Sequence, residues 1–122
     1  MNGVDYLADT NCFIYLLEGH PQILPFINDK WGFSFITEME LLSKKELTAS
    51  EDNDIRQLLS SCMKYGHNQS ISEIAIILRR KYGLKLPDAI IAATAQHFNT
   101  PLLTADKQFG SVNEIDCLLL EI

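Results

Sequence analysis

Pro87-Asp88-Ala89-Ile90-Ile91-Ala92-Ala93-Thr94-Ala95-Gln96-His97-Phe98, followed two residues later by Pro101-Leu102-Leu103-Thr104, is the stretch that decides the fold. Its first part opens on a proline and runs on in small apolar residues, which predicts a well-packed helix. Its second part is a short apolar run behind another proline, which predicts a buried strand, and Asp106 lies two residues beyond it. The N-terminal end repeats that arrangement, because the apolar run Val4 to Ala8 closes on Asp9. Between these anchors, Asn11 to Glu18 reads as a helix stopped by Gly19, Pro21 to Asn28 as a short helix, and Phe33 to Ile36 as an aromatic and β-branched strand. Thr37 to Leu42 and Asp52 to Cys62 read as helices, and Cys62 to Tyr65 as a weaker strand. Ser72 to Tyr82 sets Ile74, Ile77 and Leu78 on one helical face and ends in basic residues before Gly83. Asp116 to Leu120 closes the pattern as a strand. Strands alternating with helices build βαβ units, hence a parallel sheet covered on both faces, in the α/β class.

Composition agrees with one globular domain spanning residues 1–122. Apolar residues are 47% and charged residues 21%, which excludes a disordered chain. No apolar stretch approaches the roughly 20 residues of a membrane helix. No basic segment followed by an apolar run opens the sequence, so a cytoplasmic protein without membrane association is expected. Cys12, Cys62 and Cys117 are odd in number and far apart, which suits core residues better than disulfides or zinc ligands. His20, His67 and His97 are likewise scattered and receive no chemistry.

A net charge of −6 argues against a protein that merely coats nucleic acid. Carboxylates that hold divalent cations are not bare charges, however, and the cations present are clustered at Lys44–Lys45 and at Arg79, Arg80, Lys81 and Lys85. The second cluster reads either as a solvated helix end suited to the helix dipole or as a phosphate contact.

Ligands of open parallel sheets bind beyond the carboxyl ends of the strands, which makes the acids there informative. Asp9 and Asp106 follow predicted strands, while Glu40 and Asp88 fall in the first turns of predicted helices. Each has a local alternative. Asp9 can cap a helix, Thr37 with Glu40 matches a capping box, Asp88 suits a helix dipole, and Asp106 can cap a turn through Phe109. Together these alternatives need four coincidences on one rim of the sheet. Glu38 and Glu40 point about 200° apart on a helix, so only one of them faces the site, and the flanking Leu41-Leu42 leans weakly to Glu40.

The segments Tyr6-Leu7-Ala8-Asp9-Thr10-Asn11, Thr37-Glu38-Met39-Glu40-Leu41-Leu42, Leu86 to Ala95, and Leu102-Leu103-Thr104-Ala105-Asp106-Lys107-Gln108-Phe109 resemble, in order, the acidic motifs of PIN domains. The resemblance covers nearly the whole chain and is nearest to VapC-like toxins of bacterial toxin–antitoxin pairs. It implies a three-layer α/β/α fold with a mainly parallel central sheet of four to five strands. It also implies Mg²⁺ or Mn²⁺ at the acids and cleavage of RNA. On this resemblance Asp9, Glu40, Asp88 and Asp106 are catalytic, with Asp9, Asp88 and Asp106 as metal ligands. Glu40 is favoured over Glu38 because the family acid directly precedes the apolar pair, and Asn11 and Thr104 match polar positions that support the acids. A cognate antitoxin and a homodimer are the implied partners. The lysine-rich stretch Ser43 to Glu46 departs from relatives that carry glycine or proline there.

The chemistry accounts for the residue types. Hydrolysis of a phosphodiester sets a negative nucleophile against a negative phosphate, and divalent ions relieve that repulsion and acidify water. Mg²⁺ takes oxygen ligands and keeps several waters, so a few carboxylates suffice without histidine or cysteine. Left without metal, two carboxylates about 4 Å apart repel by about 4 kcal/mol at an effective dielectric of 20. In-line attack would leave a 5′-phosphate and a 3′-hydroxyl. A phosphorelay receiver is a rival doubly wound domain, but Asp9 has no acidic neighbour and Cys62 to His67 contains no aspartate. A haloacid-dehalogenase-type phosphatase needs a second aspartate where Asn11 stands. A non-catalytic RNA-binding or interaction module on the same fold is the remaining alternative.

Overall fold

A computed structural model describes residues 3–122. The elements are β1 (Tyr6–Ala8), α1 (Thr10–Glu18), a 3₁₀ turn (Pro21–Phe26), β2 (Trp31–Ser34), α2 (Phe35–Leu42), α3 (Ala49–Ser60), β3 (Met63–Tyr65), α4 (Gln69–Tyr82), α5 (Leu86–His97), β4 (Leu102–Thr104), a second 3₁₀ turn (Lys107–Ser111) and β5 (Cys117–Leu119). All five strands pair in parallel, in the order β3-β2-β1-β4-β5.

Several boundaries differ from expectation, two of them for clear local reasons. Ser34 ends β2 and its hydroxyl accepts the Ile36 N–H, so Phe35 and Ile36 enter the helix instead of extending the strand. Helix α3 begins at Ala49, three residues ahead of Asp52, because Thr48 and Glu51 form a reciprocal capping box. At the far ends of α1 and α4, Gly19 and Gly83 adopt φ of +74° and +69°, the left-handed geometry glycine reaches without strain.

Side chains alternate between two cores on opposite faces of the sheet. Leu7 and Leu102 face α4 and α5, where they join Ile71, Leu78, Ile91 and Phe109. Ala8 and Leu103 face α1, α2 and α3 with Phe13, Phe33, Leu41 and Ile55. On that second face Phe13 meets Trp31 and Phe33 edge-to-face at 5.3 and 5.9 Å. Each such aromatic pair adds about 0.5–1.5 kcal/mol beyond burial. The three-layer α/β/α architecture follows directly.

The register sets a row of residues at the carboxyl ends of the strands. Leu7 pairs with Gly32 and Ser34 with Tyr65, while Ala8 pairs with Leu103. Continuing these registers places Thr104, Asp9, Ser34 and Tyr65 abreast on one rim. Chain order reverses between β1 and β4, which opens a crevice at that rim. Gly32 permits the close packing beneath the row, since a Cβ there would lie 2.6 Å from the Tyr65 ring.

Candidate active site

The crevice between β1 and β4 is where the acids meet. Asp9, the N-cap of α1, is 4% exposed and accepts the Cys12 N–H at 3.0 Å. Its other oxygen accepts the hydroxyl of Thr104, at the end of the neighbouring strand. Burial pushes the Asp9 carboxyl above the ordinary carboxylate range, the hydrogen bonds from Thr104 and Cys12 oppose that shift, and the charge of Asp106 adds to it. Thr104 also accepts the Asp106 N–H at 3.0 Å, so one buried hydroxyl fixes both acids.

Asp88 stands in the first turn of α5, with Pro87 before it and no side-chain cap at Lys85. Burial raises its pKa, followed by the charges of Asp106, Glu40 and Asp9. All four predicted acids therefore lie within electrostatic reach of this one group. Gln108 links two of them directly, its Nε2 donating to Asp88 Oδ2 at 3.2 Å and to Asp106 Oδ2 at 3.1 Å.

Glu38 and Glu40 part company. Glu40 accepts the Thr10 hydroxyl at 2.6 Å, and Thr10 is also bonded to the buried Thr37 hydroxyl at 3.1 Å. Glu38 accepts instead from Lys64 at 3.1 Å, on the β3 side. The Thr37–Glu40 capping box does not form, because Ser34 holds the cap and Thr37 lies inside the helix. Asp9 and Asp106 do serve as caps, the latter accepting the Gln108 N–H at 3.0 Å, and this coexists with their place at the rim. Asn11 is exposed in the first turn of α1 and makes no hydrogen bond to the acids among the described residues. Thr10, Thr37 and Gln108 emerge only in three dimensions, although Gln108, two residues past Asp106, lay within the quoted motif.

No cation pairs with Asp9, Glu40, Asp88 or Asp106 among the described residues. Nor do any three His, Cys, Asp or Glu side chains there group closely enough to hold an ion as they stand. The donor set nevertheless fits Mg²⁺ or Mn²⁺ by its chemistry, since it is all oxygen, negative and uncompensated. An amide donor lies between two of the carboxylates, where a cation would also be attracted. Away from the crevice, Arg79 donates to the Leu84 carbonyl at 3.2 Å and Lys81 pairs with Glu114 at 2.9 Å. Arg79 thus holds the turn after α4, and Lys81 ties the end of that helix to the loop before β5. The cysteines are free, with Cys12 buried, and no described helix is long and apolar enough to cross a membrane.

A doubly wound parallel sheet with an acidic crevice at its reversal point defines the class, an α/β domain with a carboxylate site at its topological switch point. The PIN domain family model matches residues 6–115, and the chain belongs to the PIN domain family. Among solved structures it is similar to a chain of a toxin–antitoxin complex from Klebsiella pneumoniae at 32% identity, covering 90% of this chain and 94% of that one with a TM-score of 0.78. VapBC-1 from nontypeable Haemophilus influenzae matches at 25% identity over 93% and 96% of the two chains, with a TM-score of 0.77. VapBC2 from Rickettsia felis, bound to a DNA fragment from its promoter, shares the fold with a TM-score of 0.83 at 19% identity over 95% and 98%. No curated protein matches in sequence.

Proposed function

We propose that this chain is a metal-dependent endoribonuclease that hydrolyses RNA phosphodiester bonds as the toxin of a toxin–antitoxin pair. The observation that carries the reading is the carboxylate crevice itself. Asp9 is buried and raised in pKa, Asp88 feels the other three acids, and none has a cationic partner among the described residues. Such a grouping costs stability unless something positive joins it.

Asp9, Asp88 and Asp106 would hold Mg²⁺ or Mn²⁺, which when bound neutralises the carboxylates, stabilises charge on the reacting phosphate and acidifies water. The chain's own residues do the rest. Thr104 fixes the Asp9 carboxylate and, through the Asp106 N–H, the turn that carries Asp106. Gln108 holds Asp88 and Asp106 together. Thr10 orients Glu40, which directs the attacking water. In-line attack leaves a 5′-phosphate and a 3′-hydroxyl.

The assembly reading rests on similarity to chains of toxin–antitoxin complexes and on two surfaces. An apolar groove of about 540 Å³, lined by Ile14, Leu17, Leu41 and Leu47 and edged by Glu18 and Glu51, opens beside Glu40 and suits a basic amphipathic segment of an antitoxin. On α4, exposed Ile76 and Ile77 lie between Glu73 and Arg80, a self-complementary order suited to a homodimer. A toxin of this kind acts on cytoplasmic RNA. The test is incubation of purified protein with structured RNAs in Mn²⁺ and in EDTA. Cleavage in Mn²⁺ alone supports the reading, and binding without cleavage favours a non-catalytic RNA-binding module.

A further inference from the structure

Phe35 is an aromatic residue that the fold does not use. It is half-buried at the start of α2, yet it belongs to neither hydrophobic core. Its ring meets His67 edge-to-face, with centroids 5.9 Å apart and planes at 88°. His67 is exposed, and its Nε2 is held by the Ser72 hydroxyl at 2.5 Å, which fixes the plane of the imidazole. Of two rings in this arrangement, the one presenting its edge keeps both faces clear of its partner.

Register places this pair on the active rim. Phe35 follows Ser34, which stands abreast of Asp9, and His67 lies two residues past Tyr65 in the same row. With strands about 4.8 Å apart, Phe35 stands one strand, or about 5 Å, to the side of Asp9. His67 lies farther out, beyond the end of β3, where its neighbour Asn68 meets His97 at 3.5 Å, at the end of α5 opposite to Asp88. A strand of RNA crossing the carboxylates toward β3 passes over the pair. The protein carries a net charge of −6 and its crevice is acidic, so phosphate attraction alone holds such a strand poorly. Stacking does not depend on charge.

We infer that Phe35 and His67 form a base-stacking site for an unpaired nucleotide on the β3 side of the cleaved phosphodiester. The inference rests on the ribonuclease reading, and its test keeps the two separable. In an Asp88→Asn background that suppresses cleavage, binding of a fluorescein-labelled single-stranded RNA of mixed sequence is followed by anisotropy with Mn²⁺ present. Phe35→Leu and His67→Ala each weaken binding about tenfold, while His67→Tyr, which restores a ring, stays within about twofold of the background protein. Melting temperatures are measured alongside. Should Phe35→Leu fail to fold, the two His67 variants decide the matter. Equal binding by all variants, or a His67→Tyr no better than His67→Ala, overturns the stacking site while leaving the nuclease intact. Failure of the parent protein either to bind or to cleave any RNA in Mn²⁺ overturns both.

Discussion

Thr10 donates its hydroxyl to Glu40 at 2.6 Å, whereas Glu38, two residues earlier, accepts from Lys64 at 3.1 Å. The two acids of one helix thus serve opposite sides of α2, and only Glu40 adds its charge to Asp88. Glu40→Gln should lower the Mn²⁺-dependent cleavage rate by about a hundredfold, as expected for loss of a group that handles the attacking water. Glu38→Gln should leave it within about twofold. Initial rates on one RNA substrate compare them, and equal losses would remove Glu40 from the site.

Asp88 makes the metal-free protein sensitive to pH. Its folded pKa is raised by burial and by Asp106, Glu40 and Asp9, so the native state holds its proton at pH values where the unfolded chain has released it. Stability is therefore lost as pH rises from the ordinary carboxylate pKa through the raised one. In EDTA, Asp88→Asn should melt above the parent at pH 7, and the gain should vanish by about pH 3.5. Thermal melts at the two pH values check this. The asparagine oxygen still accepts from Gln108, so the comparison isolates the charge.

Mn²⁺ should reverse that order. An ion that binds only the native crevice stabilises it by about 2.7 kcal/mol at a hundred times its dissociation constant. The parent should gain several degrees in melting temperature with Mn²⁺, and Asp106→Asn should lose most of that gain. Gln108→Glu, which adds an acid beside Asp88 and Asp106, should melt lower in EDTA and gain more from Mn²⁺ than the parent. No Mn²⁺ effect on the parent would count against a metal at these residues.

Much of this was readable because apolar runs stop at acids. Val4–Ala8 before Asp9 and Pro101–Thr104 before Asp106 mark strand ends, and parallel strand ends converge on one rim. The helix carrying Asp88 announced itself by Pro87 and a run of small apolar residues. The start of α2 was obscured because Phe33 to Ile36 looks like a strand throughout, and only the Ser34 hydroxyl turns it into a helix. The partners of the acids were hidden for a different reason. Thr10 reaches Glu40 across 30 positions and Thr104 reaches Asp9 across 95, contacts that exist only once the sheet has formed. For the same reason Glu38 and Glu40 are nearly equivalent as letters and distinct as neighbours of Lys64 and Thr10.

The rim also depends on packing beneath it. A Cβ on Gly32 would sit 2.6 Å from Tyr65 Cε2, and Tyr65 is buried against Phe98. Gly32→Ala should destabilise the fold by about 1–3 kcal/mol, the usual cost of overfilling a packed core. A lower midpoint in urea unfolding measures it, and Tyr65→Leu combined with Gly32→Ala should recover part of the loss.

The most direct test concerns Asp9, the acid buried at the meeting of β1 and β4. Asp9→Asn should abolish Mn²⁺-dependent RNA cleavage while the purified protein keeps its circular dichroism spectrum and a cooperative melt. Parent-level cleavage by folded Asp9→Asn would contradict the account.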